Sequence, residues 1–158
     1  MEKGEKEKQY HSILKSISHK LLQIEDITPK KLYMLVVDQL SSIPYFNWIG
    51  IYLLNKETDE LVLDYYVGKS TEHTHIPVGR GICGSAVADK EDKIIDDVLS
   101  EENYLACSLD TRSEIVVLIE NQSEILGQID VDSDDVAAFD EVDQKYLSQV
   151  SNLIIENL

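Results

Sequence analysis

The sequence predicts an α+β domain, with a central antiparallel sheet, N-terminal helices and a C-terminal helix on one face, and ligand-binding loops on the other. Three observations carry that expectation. Apolar residues recur at spacings of three and four before residue 44 and again after residue 140. Between those stretches lie apolar or alternating segments bounded by turn residues. Neither a repeat nor a linker interrupts the 158 residues, a length that suits a single domain over residues 1–158.

Residues 1–8 alternate Lys and Glu without an apolar stripe and are expected to be disordered. Tyr10, Ile13, Leu14, Ile17, Leu21 and Ile24 mark a first helix. Thr28-Pro29 starts a second, with Thr as N-cap and Pro at the first helical position, and Pro44 closes it. Trp48 to Leu54 is apolar on both faces and reads as a central strand, and Leu61 to Val67 returns beside it. Residues 68–75 read as a polar loop, Ile82 to Asp89 as a short helix of small residues, and Lys93 to Asp97 as a short strand. Residues 98–109 lack periodicity. Glu114 to Glu120 and Ile125 to Asp132 form a hairpin around Asn121-Gln122, and Asp140 caps the final helix.

Thirty acids against fourteen bases give a net charge of −16. Such a surface repels phosphate backbones and anionic lipid, so nucleic acid and membrane are poor partners. No apolar run has the length of a bilayer span, and the charged N-terminus lacks the apolar core of a secretory signal. A cytoplasmic location is expected. Thiols stay reduced there, so Cys83 and Cys107, the two cysteines, are core residues, metal ligands or redox groups.

Each cysteine lies in a distinctive stretch. Ile76 to Ala86, IPVGRGICGSA, sets Cys83 among Gly79, Gly81 and Gly84 where a loop becomes a helix. Glycine admits close backbone approach, and a helix N-terminus favours a thiolate or a bound carboxylate. Leu105 to Val116, LACSLDTRSEIV, places Cys107 in a loop leading to an apolar strand. Brought together, the two stretches would make a two-thiol pocket with an anion-binding floor.

The elements NWIGIYLL, IPVGRGICGSAVA, SEIV and ILGQIDVDS, in this order, resemble the free methionine-(R)-sulfoxide reductases, a stand-alone branch of the GAF-domain fold. The resemblance covers Phe46 to the C-terminus. It implies a GAF-like domain that reduces the R epimer of free methionine sulfoxide through a cysteine sulfenic acid and a disulfide. It implies no bound cofactor, with reducing equivalents from NADPH through thioredoxin, and the fold suggests a homodimer. By this resemblance Cys107 corresponds to the nucleophile and Cys83 to a second family cysteine. Trp48, Tyr52, Glu114, Asp130 and Asp132 correspond to the residues lining the substrate pocket. The chain departs from the pattern at His73, where members usually carry a third, resolving cysteine. That leaves Cys83 as the resolving thiol, or a pocket without efficient turnover.

The residues themselves leave choices open. Trp48 and Tyr52 share a strand face, as core aromatics or as walls of a pocket. Asp130 and Asp132 also share a face, and a solvated edge is the ordinary fate of such acids. Glu114 opens an apolar strand, where a solvated carboxylate is out of place. Grouped carboxylates suit an ammonium group, and crowding would keep one acid protonated to serve the sulfoxide oxygen. Backbone amides near Gly81 and Ile82 are the natural carboxylate donors. The hairpin sets a condition: a two-residue turn would pair Glu114 with Ile129 and turn it away from Asp130. Convergence therefore needs an odd-length loop or a bulge. A non-catalytic GAF module binding a small amino acid or related metabolite would need the acids but not the thiols. His73, His75, Cys83 and Cys107 could make a zinc set, but their spacing matches no common pattern, and no metal is expected.

Overall fold

A computed structural model gives the architecture, and residues 1–105 and 108–158 are described. The helices are α1 (Lys3–Leu22), α2 (Pro29–Leu40), α3 (Gly81–Asp89) and α4 (Glu141–Glu156). The strands are β1 (Trp48–Asn55), β2 (Glu60–Val67), β3 (His75–Pro77), β4 (Lys93–Ile95), β5 (Ser113–Glu120) and β6 (Ile125–Ser133). They form one antiparallel sheet in the order β3-β2-β1-β6-β5-β4.

Strand alternation sorts the side chains into two cores. Ile49, Ile51, Ile115, Val117, Ile119, Ile129 and Val131 face α1, α2 and α4, against Tyr10, Ile17, Leu32, Val36, Val150 and Ile154. The opposite positions, among them Trp48, Tyr52, Val116 and Leu118, pack with Ile82, Cys83, Ala86 and Val87 of α3. The second face is thus covered by a helix as well as by loops. Every residue in positions 113–119 and 127–133 is buried, because both faces of β5 and β6 are roofed.

Local signals fix the helix ends. Thr28 Oγ1 accepts from the Lys31 amide, with Pro29 at the first helical position. Asp140 and Asp143 form a reciprocal capping box at the start of α4. α2 ends at Leu40, short of Pro44. The strand β3 begins at His75, the last residue of the stretch expected to be loop, and a 3₁₀ turn at Val98–Ser100 opens the segment that lacked periodicity.

The expectation of a disordered N-terminus is overturned. α1 begins at Lys3, and Lys6 is 3% exposed. Its ammonium donates to Asp143 Oδ2 at 2.6 Å and to the Ala138 carbonyl at 2.9 Å. Tyr10 and Tyr45 donate to the other Asp143 oxygen at 2.7 and 2.6 Å. A buried carboxylate that gathers one cation and two hydroxyls supplies the anchor that an apolar stripe would otherwise provide.

Candidate active site

The pocket face of the sheet is organised in rows. Across β1, β6 and β5 the first row is Trp48, Asp132 and Glu114, and the next is Gly50, Asp130 and Val116. The bulge that the hairpin required is present. A four-residue turn at residues 121–124 and a register shift between Ile119 and Glu120 bring Glu114 opposite Asp132. Asn121 holds that turn by accepting from the Ser123 and Glu124 amides. Glu114, Asp130 and Asp132 are 4%, 0% and 1% exposed. The solvated-edge reading of these acids is excluded.

Burial sets the electrostatics. Asp130 is raised above the ordinary carboxylate range by desolvation, partly offset by the Glu114 and Cys83 groups beside it. Asp132 is raised further, by desolvation first and then by the Asp130 charge. Both Asp130 oxygens and Asp132 Oδ1 lack a hydrogen-bond partner among the described residues. Cys83 carries a free thiol, with Sγ 3.9 Å from Glu114 Oε2. Desolvation, then the Asp130 and Glu114 charges, push this thiol well above its usual pKa. The helix N-terminus does not make Cys83 a thiolate, because burial among acids outweighs the partial charge of one helix end.

Aromatic rings wall the row. The Trp48 indole stacks on Tyr66 with centroids 5.4 Å apart and lies 6.3 Å from Tyr52. Its place depends on Gly50, where a Cβ would come within 2.5 Å of the ring. Trp48 Nε1 donates to the Lys69 carbonyl and Tyr52 donates to that of His73, so the loop between β2 and β3 hangs from the two aromatics. Tyr66 escaped the sequence reading because a register shift between β1 and β2 breaks simple alternation. Tyr65 is thereby sent to the helix face and Tyr66 to the pocket.

No family model matches the chain, but similar proteins do. It is 38% identical to GAF domain-containing protein A of Dictyostelium discoideum, over 96% of this chain and 94% of that one. It is 39% identical to the free methionine-R-sulfoxide reductase of Escherichia coli, over 73% of this chain and 67% of that one. The fold superposes on the Neisseria meningitidis free methionine-R-sulfoxide reductase, solved with its substrate, with a TM-score of 0.84 and 32% identity, covering 94% of this chain and 87% of that one. The chain belongs to the free methionine-R-sulfoxide reductase family. It is an oxidoreductase family on a GAF-domain fold.

In this member of the reductase family the segment after β4 closes over α3. Asn103 Oδ1 accepts from the Gly81 amide at 3.0 Å, while its Nδ2 donates to the Gly79 and Gly81 carbonyls and to Ser85 Oγ. Leu105 packs on Gly81, where a Cβ would meet it at 2.9 Å and φ is +66°. The Gly81 amide, one of the expected carboxylate donors, is thus engaged by Asn103. Ile82 sits in the first turn of α3, whose amides have no acceptor within the helix. The space bounded by Ile76, Gly81, Ile82, Cys83, Leu105, Glu114 and Asp130 has room for about one water molecule. A wider cleft lies on the other side of Asp132, lined by Trp48, Lys69, Ser108, Thr111 and Asp134.

Cys83, Glu114, Asp130, Asp132, Trp48 and Tyr52 are thus brought to one face. Cys107 lies outside the described residues. Among the described residues the group able to hold a metal is Cys83, Glu114 and Asp130. Of the histidines of the considered zinc set, His75 contacts Thr74, and the His73 backbone bonds with Tyr52 and Thr71. Asn103 was missed because one asparagine in an aperiodic loop carries no sequence signal of what it will cap.

Proposed function

We propose that the chain reduces free L-methionine (R)-S-oxide to L-methionine, with Cys107 as the attacking thiol. The observation that carries this reading is the buried acid row, in which both Asp130 oxygens and Asp132 Oδ1 have no hydrogen-bond partner among the described residues. The substrate's ammonium would sit among Asp130, Asp132 and Glu114, balancing one carboxylate charge while another acid stays protonated, and its carboxylate would take the first-turn amides of α3 once Asn103 withdraws. Trp48 would face the methyl-sulfur end. A peptide-bound methionine sulfoxide has neither terminal charge, so the pocket would reject it.

The chemistry balances as follows. The Cys107 thiolate attacks the sulfoxide sulfur and the oxygen passes to the thiol, with one proton supplied by a neutral pocket acid. The products are methionine and a Cys107 sulfenic acid. The Cys83 thiol then condenses with it, releasing water and forming a disulfide, which thioredoxin reduces at the expense of NADPH. Its elevated pKa disfavours Cys83 as the thiol that attacks the sulfoxide and leaves it the second role. Such a cycle needs a reducing compartment, consistent with the cytoplasm.

The test is thioredoxin-coupled NADPH consumption with each epimer of the free amino acid and with an N-acetylated, amidated substrate. Turnover of the free R epimer alone is the expected result. Cys107→Ser should abolish it, and Cys83→Ser should allow one turnover and leave a sulfenic acid. No consumption with any substrate would replace the enzyme by a non-catalytic module that binds a small amino acid.

A further inference from the structure

The cavity beneath α3 presents a thiol and two carboxylates. Cys83 Sγ, a Glu114 oxygen and an Asp130 oxygen all lie within 4.8 Å of one another, and all three residues are buried. Asp130 lines this cavity, is 0% exposed, and has neither oxygen satisfied among the described residues. Neither Asp130 nor Asp132 forms an ion pair with a described Lys, Arg or His. Such a set is short of positive charge in a space for about one water-sized particle.

We infer that Cys83, Glu114 and Asp130 form a binding site for a thiophilic divalent cation of the zinc class, which excludes the amino-acid substrate while it is bound. The donor set decides the metal. A thiolate with two carboxylates suits a four-coordinate, borderline-soft ion, whereas magnesium and calcium require six or more oxygens. The spacing is close to what is needed. A tetrahedral zinc with ordinary bond lengths sets sulfur and oxygen about 3.5 Å apart, against 3.9 Å between Cys83 Sγ and Glu114 Oε2. A side-chain shift of a few tenths of an ångström closes that gap, and water completes the fourth position.

The charge balance follows. Zinc stays divalent, and zinc–sulfur and zinc–oxygen bonds form. The Cys83 proton, with any proton held on Glu114 or Asp130, leaves to solvent. Two positive charges then neutralise most of the three ligand charges. The metal site itself needs no turnover, and its exclusion of the substrate rests on the proposed binding of free methionine sulfoxide.

The reduced, metal-free full chain is titrated with zinc against a chromophoric chelator, and with cadmium while the ultraviolet thiolate-to-metal absorption is followed. One equivalent should bind with the appearance of that band, and protons should be released. Cys83→Ser should remove the band and weaken zinc binding more than about tenfold, and Glu114→Gln and Asp130→Asn should each weaken it comparably. Cys107→Ser should retain both band and affinity. Loss of the site in Cys107→Ser, or unchanged affinity in Glu114→Gln and Asp130→Asn, would overturn the assignment. Should Cys83→Ser fail to fold by circular dichroism, the two carboxylate variants decide. Free methionine sulfoxide should raise the apparent zinc dissociation constant, and no competition would refute the exclusion.

Discussion

Glu114 on β5 and Asp132 on β6 are direct cross-strand partners, with 4% and 1% exposure. Two acids in that relationship repel, and the sheet holds them together only if a proton or a bound cation intervenes. Asp130, one pair further along the same strand face, adds to the conflict. The surrounding fold supports this frustration, as expected where a site is shaped for a charged ligand.

Ligand-free stability should fall as pH rises. Asp130 and Asp132 hold their protons more tightly folded than unfolded. The folded chain therefore carries more bound protons, and stability drops from about pH 4, the unfolded carboxylate range, up through the raised values. Asp132→Asn should raise the neutral-pH melting temperature by a few degrees and lose that advantage near pH 3 to 4. A melting temperature unchanged or lowered at neutral pH would contradict the account.

Binding of an ammonium ligand should displace those protons. Calorimetry of free methionine sulfoxide in two buffers of different ionisation enthalpy should give different apparent heats, and affinity should rise with pH through the raised carboxyl range. Asp130→Asn should cost about 1–3 kcal/mol of binding. Buffer-independent heats would rule out protonated acids at the site.

Gly50→Ala should disable the pocket while keeping the fold. The added Cβ would lie 2.5 and 2.9 Å from two Trp48 ring atoms, and the fixed β1 backbone cannot give way. The indole should move, at a cost of about 1–3 kcal/mol in stability. Tryptophan fluorescence reports it directly, since Trp48 is the single tryptophan. An unchanged spectrum with unchanged substrate binding would refute the packing argument.

Asn103→Ala should loosen the segment over α3. It removes the acceptor from the Gly81 amide and three donated bonds, a loss comparable to an N-cap substitution of about 0.5–2 kcal/mol. Hydrogen exchange at Gly81 should accelerate and substrate association should quicken. If association slows, Asn103 assists entry rather than competing with the substrate's carboxylate.

Deleting residues 1–8 should destabilise the chain by about 3–5 kcal/mol, because it strips Lys6 from the buried Asp143 carboxylate. Urea denaturation measures this; a loss under about 1 kcal/mol would show that the Tyr10 and Tyr45 hydroxyls suffice.

The sequence alone determined the elements whose signals are local. Thr28-Pro29 and Asp140 set helix starts through side-chain capping and a fixed φ. The apolar runs at Trp48, Glu114 and Ile125 set the strands, and the parity of Asp130 with Asp132 put those acids on one face. Tertiary structure decided what depends on pairing between distant segments. The shift at Ile119/Glu120 turned Glu114 toward Asp132, and that between β1 and β2 turned Tyr66 inward, since one extra residue reverses every side chain beyond it. Lys6 looked like a solvated charge until Asp143 arrived from 137 residues away. Whether the Cys83 thiol is activated or suppressed was likewise beyond its own neighbours. The answer lay first in burial beneath the helix and then in three carboxylates from two other strands, which together outweigh the partial charge of the helix end.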